Sequence, residues 1–117
     1  MPMDVAQALL VITNLPDKAS AQLLAARLVE GRLAACVNIL APCRSVYRWQ
    51  GRLEGTQEIP LLIKSTPERY PALEAAIRAE HPYELPEIIA VPIAHGLPEY
   101  LDWVAIETRA EAPPKDP

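Results

Sequence analysis

Phenylalanine is absent from this 117-residue sequence, and cysteine, histidine and asparagine occur twice each. The four glycines stand far apart, at 31, 51, 55 and 96. Scattered in this way, they make no backbone cradle for phosphate and no dinucleotide-binding turn. Cys36 and Cys43 lack a CxxC spacing, and His81 and His95 do not complete a finger-type zinc site with them. No catalytic triad or nucleophile elbow is present, so the chain reads as a non-enzyme with no required cofactor. Basic residues are outnumbered, 11 Lys and Arg against 15 Asp and Glu, for a net charge of -4. Without a basic stripe, no nucleic-acid partner is expected. No run reaches the ~20 apolar residues that span a bilayer, so no membrane partner is expected either. The opening Met-Pro-Met-Asp carries none of the basic residues of a secretory signal. The expected location is the cytoplasm, where both thiols stay reduced.

What is there is the composition of one soluble domain, 50% hydrophobic and 22% charged. Residues 6–14 form a short β-branched apolar run, read as a buried strand. Asp17 then caps a helix from Lys18 to Glu30, with Ala21, Leu24, Ala25 and Leu28 on its inner face and Gly31 as its stop. Residues 34–49 alternate and read as one long strand interrupted near Pro42. Gln50-Gly51-Arg52 turns the chain into a strand from Gln57 to Lys64, with Gly55 as a bend and Pro60 as a gap in the ladder. Ser65-Thr66-Pro67-Glu68 begins a second helix with Tyr70, Leu73, Ala76 and Ile77 inward and a Glu74–Arg78 pair outward, ending at His81-Pro82. A strand over 88–93 and a helix opened by Pro98 follow. The order is β-α-β-β-α-β-α: an α+β, ferredoxin-like split βαβ domain over residues 6–108, with a flexible tail over 109–117.

The hairpin between the second and third strands poses a problem of length. A strand from Ala34 to Trp49 would run roughly 53 Å at 3.3 Å per residue, against a diameter of roughly 35 Å for a compact chain of this size. Either Pro42 divides it into two directions, or its distal half, with Val46, Tyr47 and Trp49, leaves the body and meets another copy of the chain.

Five segments in order carry a family resemblance: Arg32 to Ile39 (RLAACVNI), Ser45 to Gly51 (SVYRWQG), Leu61 to Lys64 (LLIK), His81 to Glu84 (HPYE) and Tyr100 to Trp103 (YLDW). Together they resemble the CutA family of divalent-cation tolerance proteins. The resemblance implies a homotrimer of ferredoxin-like subunits, similar to PII signalling proteins, and a role in tolerance of copper and other divalent metals. It also implies a copper ligand set that falls here on Thr13, Glu80 and His81, of which His81 alone offers a thiol or imidazole donor.

Without that set, His81 reads as a capping residue in the last turn of a helix. Glu80, Glu84 and Glu87 read as a solvated rim or as support for a hard cation, and His95 as a turn residue. Cys36 reads as a small buried hydrophobe with no cation beside it, and Cys43 as an exposed thiol without evident chemistry. Tyr47, Trp49, Tyr83, Tyr100 and Trp103 read as interface packing or as the walls of a cleft between subunits. In the cleft reading Lys64 is the polar anchor, paired with Glu87 or with a small anionic ligand. Three functions follow: a metal-tolerance trimer, a PII-like sensor of a small anion, and a purely structural trimer.

Overall fold

Proline placement and apolar alternation set most of the element boundaries. The computed structural model describes residues 7–110. Its elements are β1 (Leu9–Leu15), α1 (Lys18–Glu30), β2 (Cys36–Ile39), β3 (Cys43–Trp49), β4 (Arg52–Ser65), α2 (Tyr70–Glu80), β5 (Ile88–Pro92) and α3 (Pro98–Glu107). The expected domain start at residue 6 and the tail over 111–117 lie outside the described residues. Arg109 and Ala110 follow α3 without regular structure.

All strand pairs are antiparallel, in the order β2-β4-β1-β5, with β3 also paired to β4. Alternation gives this sheet two faces. On one, Val11, Leu15, Ile59, Leu61 and Ile63 pack against Ala21, Leu24 and Leu28 of α1 and Leu73 and Ile77 of α2 to form the main core. The inner faces expected of both helices are the observed ones. On the other face, by register, stand Leu10, Ile12, Leu62, Ile89 and Val91. Here α3 covers only one end, where Leu101 and Val104 meet Ala8 and Ala35. Ile89 and Val91 remain 48% and 46% exposed.

The long hairpin resolves its length problem in both of the ways expected. Ile39 pairs with Leu61 and Cys43 with Glu58, so residues 40–42 face only residues 59–60. One extra residue on that side is a β-bulge, placed where Pro42 and Pro60 cannot donate to a ladder. Beyond it β3 and the start of β4 leave the body as a two-stranded ribbon. The chain is 56 Å along its longest axis, and its radius of gyration is 15.8 Å against roughly 13 Å for a compact domain.

Three local expectations are corrected. Strand β4 begins at Arg52, five residues before the expected Gln57. Gln50 and Gly51 both adopt positive φ, 52° and 79°. They form a two-residue hairpin turn, which forces pairing to start at once with Trp49 against Arg52. Gly55 is therefore no bend; it lies mid-ladder opposite Val46. The second helix begins at Tyr70 rather than at Ser65. Ser65 ends β4 and donates its hydroxyl to the Leu33 carbonyl at 2.6 Å. Pro71 has no N–H for the Pro67 carbonyl, so residues 66–70 make tighter turns and the helical ladder opens with Leu73 to Arg69. Glu74, expected to pair with Arg78, instead accepts the Tyr70 hydroxyl at 2.8 Å.

At the end of α1 the left-handed residue is Arg32, φ 59°, one position after the expected Gly31. Leu33 N–H donates to Leu28 and Arg32 N–H to Val29, the paired bonds of a Schellman end. A side chain is kept at this costly position because its guanidinium caps α3: Nε donates to the Arg109 carbonyl at 2.9 Å and Nη2 to that of Ile106 at 2.8 Å. Arg32→Ala loses these bonds without relieving the backbone, and is expected to cost about 1–3 kcal/mol. Arg32→Gly loses the same bonds but relieves about 1 kcal/mol of left-handed strain. Denaturant unfolding of both variants should rank wild type above Arg32→Gly above Arg32→Ala.

Candidate functional site

A cleft of about 790 Å³ opens where the end of β1, the end of α2 and the base of the ribbon meet. Pro82 ends α2, and the connection to β5 that follows forms one wall, with Tyr83, Glu84 and Glu87. Tyr47 and Trp49 of β3 form another, and Asn14 and Glu58 complete the lining.

His81 organises this corner. It is 8% exposed, and its backbone N–H closes α2 on Ile77. Its Nε2 donates to the Asn14 carbonyl at 2.6 Å, and its Nδ1 accepts the Tyr83 backbone N–H at 3.1 Å. This bonding pattern assigns the neutral ring with its proton on Nε2. The imidazole also lies against the Tyr83 ring, centroids 4.7 Å apart and planes at 53°. Asn14 binds the connection a second time, donating Nδ2 to Glu87 Oε1 at 2.9 Å. The Tyr47 ring is pinned by a 2.7 Å bond between its hydroxyl and that of Thr56.

Glu58 is 8% exposed and faces Cys43 across the ladder. No cation pairs with it among the described residues, where the one ion pair is Arg27–Glu80. Burial, then the negative Glu58 beside it, push the Tyr83 phenol above its ordinary value, with smaller contributions from Tyr47 and Asp17. The charged side chains that line the cleft are all carboxylates: Glu58, Glu84 and Glu87.

The expected aromatic cleft therefore divides. Tyr47, Trp49, Tyr83 and Glu87 come together, whereas Lys64, Tyr100 and Trp103 do not join them. Lys64 lies six residues along β4 from Glu58, about 20 Å in an extended strand. It does not pair with Glu87. Its ammonium donates to Asn38 Oδ1 and stands 4.0 Å from Cys36 Sγ. Cys36 thus has a cation beside it, which the sequence did not reveal because the two residues meet only across the β2–β4 pair. Tyr100 packs on Trp103, centroids 5.6 Å apart. Burial, with Cys36 nearby, raises its phenol. Cys43 and His95 are exposed.

The residues onto which the copper set falls do not fit a copper centre within one chain. Thr13 is fully buried, and its hydroxyl has no hydrogen-bond partner. Glu80 pairs with Arg27 across α1 and α2. Both nitrogens of His81 are already engaged. Among the described residues no three His, Cys, Asp or Glu side chains converge as a metal site. Asn14 and Glu58 are the two site residues that sequence reasoning missed. Each is a polar residue in an apolar strand, a signal that marks a candidate but not its partner.

Residues 9–107 match the CutA1 divalent ion tolerance protein family. The chain is 48% identical over 98 residues to the divalent-cation tolerance protein CutA of Thermus thermophilus, covering 84% of this chain and 95% of that protein. Among solved structures, CutA from Xylella fastidiosa superposes with a TM-score of 0.85 at 47% identity, covering 87% of this chain and 98% of that one. A divalent cation tolerance protein CutA from Archaeoglobus fulgidus, described as periplasmic, gives 0.84 at 34% identity, covering 87% and 99% respectively.

Removing the imidazole tests what His81 does. His81→Ala leaves the Asn14 carbonyl and the Tyr83 N–H unpaired and is expected to lower stability by about 1–3 kcal/mol. Its heats on calorimetric titration with Cu(II) should equal those of the wild type. Heats lost only in the variant would make the ring a ligand.

Proposed function

Because this chain belongs to the CutA1 divalent ion tolerance protein family, we propose that it serves divalent-cation tolerance as a non-enzymatic homotrimer. The observation that carries this reading is the uncovered second sheet face. Leu10, Ile12, Leu62, Ile89 and Val91 form a contiguous apolar surface on paired strands. Fully burying such a side chain contributes about 1.5–3 kcal/mol, and soluble monomers rarely leave a patch of this kind open. The ribbon supplies what would cover it: Tyr47 and Trp49 remain 42% and 37% exposed on an arm that leaves its own domain. Laid on a neighbour's sheet, the arm closes a ring of three and removes the free strand edges.

In this reading β2 and β3 count as one bulged strand, and the order β2-β4-β1-β5 is the ferredoxin-like split βαβ arrangement that PII-like trimers use. The trimer works in the cytosol, a placement supported by two cysteines that form no disulfide. No helix among the described residues is long and apolar enough to cross a membrane. A copper or other divalent ion held by the assembly takes donors beyond Thr13, Glu80 and His81. The sensor of a small anion is the weaker alternative, because the carboxylate-lined cleft repels an anion and Lys64 is bonded elsewhere. The purely structural trimer shares the same assembly and differs only in having no role in metal tolerance.

A metal challenge separates the first reading from the last. Cells that lack their own member of this family should regain growth in toxic Cu(II) when they express the wild-type chain. Ile89→Glu, which places a charge on the apolar face, should fail to restore it, while Glu68→Gln, at an exposed turn, should restore it fully. No rescue by the wild type would leave the structural reading in its place.

A further inference from the structure

The cleft is far larger than a metal ion requires, and its carboxylates do not converge on a point. A bare divalent ion needs several oxygen ligands within about 2.6 Å, and the described residues offer no such group of three. The same lining suits a different cation. At about 790 Å³ the cleft lies within the range of small-molecule sites. Tyr47, Trp49 and Tyr83 present aromatic rings, whose faces attract ammonium groups and pack on alkyl chains. Two of the rings are fixed, Tyr47 by Thr56 and Tyr83 by His81. Glu58 is more than nine-tenths buried with no cationic partner among the described residues, an arrangement that is costly until a positive charge arrives. Glu84 and Glu87 place two further negative charges along the cleft, and no lysine or arginine lines it.

We propose that this cleft binds an organic cation of the aliphatic diamine or polyamine class, with one ammonium at Glu58, the alkyl chain across Tyr47, Trp49 and Tyr83, and a second ammonium at Glu84 or Glu87. Charges spaced along a groove match charges spaced along a flexible chain, whereas a compact ion meets only one of them. The aromatic walls select against inorganic cations, which lose strongly held water on entry and gain little from a ring face. A dianion of the same length finds only repulsion. The inference concerns a cleft built within one chain, and it goes beyond the metal-tolerance reading rather than resting on it.

Fluorescence titration of the full-length, assembled protein tests this directly. In a Trp103→Phe background Trp49 is the only indole and stands in the cleft wall. At 0.15 M salt, which screens loose surface pairing, 1,4-diaminobutane should produce a saturable change. Mg²⁺ and glutarate at the same concentrations should not. Glu58→Gln should weaken the diamine about tenfold or more by removing the buried charge. Glu87→Gln keeps an acceptor for Asn14 and should weaken it less, which preserves the test should the Glu58 variant fold poorly. Glu68→Gln should change nothing. The proposal is overturned by the absence of a saturable change with the diamine, as when a neighbouring chain fills the cleft. Equal affinity for glutarate, or unchanged affinity in both Glu58→Gln and Glu87→Gln, would overturn it as well.

Discussion

Strand β4 pairs with β1, β2 and β3 along its fourteen residues, and the sheet, the ribbon and the cleft all hang on that ladder. Its inner half supplies Ile59, Leu61 and Ile63 to the core. Its outer half, from Arg52 to Gln57, has almost no core of its own and is held by cross-strand pairing to β3. Glu58 sits at the junction, where the bulge over residues 40–42 shifts the partner strand by one residue. The cleft forms at this point because the strand passes there from a packed body to a free arm.

The two faces of the sheet divide the work. The face under α1 and α2 is closed within the chain, and stability resides there. The other face is only partly closed, and the second apolar cluster with α3 covers one end. Arg32 binds the two regions together by reaching from the end of α1 to the last carbonyls of α3. Asn14 performs a comparable role at the cleft, with its carbonyl on His81 and its amide on Glu87. Such residues matter for geometry more than for buried area, because each fixes the end of one element against the start of another.

Helical spacing made α1 legible from Asp17 to Glu30, since capping and periodicity act over a few residues. The turn at Gln50-Gly51 was legible too, but its consequence was not. A two-residue turn imposes pairing on Arg52 to Glu54, whose polar character gives no strand signal of its own. The start of α2 was misread because Ser65-Thr66-Pro67 has the form of a cap, whereas Pro71 delays the ladder. Within the candidate site the individual residues stood out as aromatic or charged, yet their grouping did not. Lys64 and Cys36 meet across paired strands, and Glu58 meets Tyr83 across a connection, so neither contact leaves a trace in local spacing. The ribbon was foreseen from length alone: residues 34–49 were too long for their own domain.

The account rests on the open apolar face being completed by other copies of the chain. Sedimentation equilibrium of the wild-type protein at micromolar concentration tests this most directly. A single species at three times the 12.9 kDa chain mass, unchanged on tenfold dilution, is the predicted result. A folded species at the mass of one chain would contradict it, because Ile89, Val91 and the ribbon aromatics would then stand in water without cost to the fold.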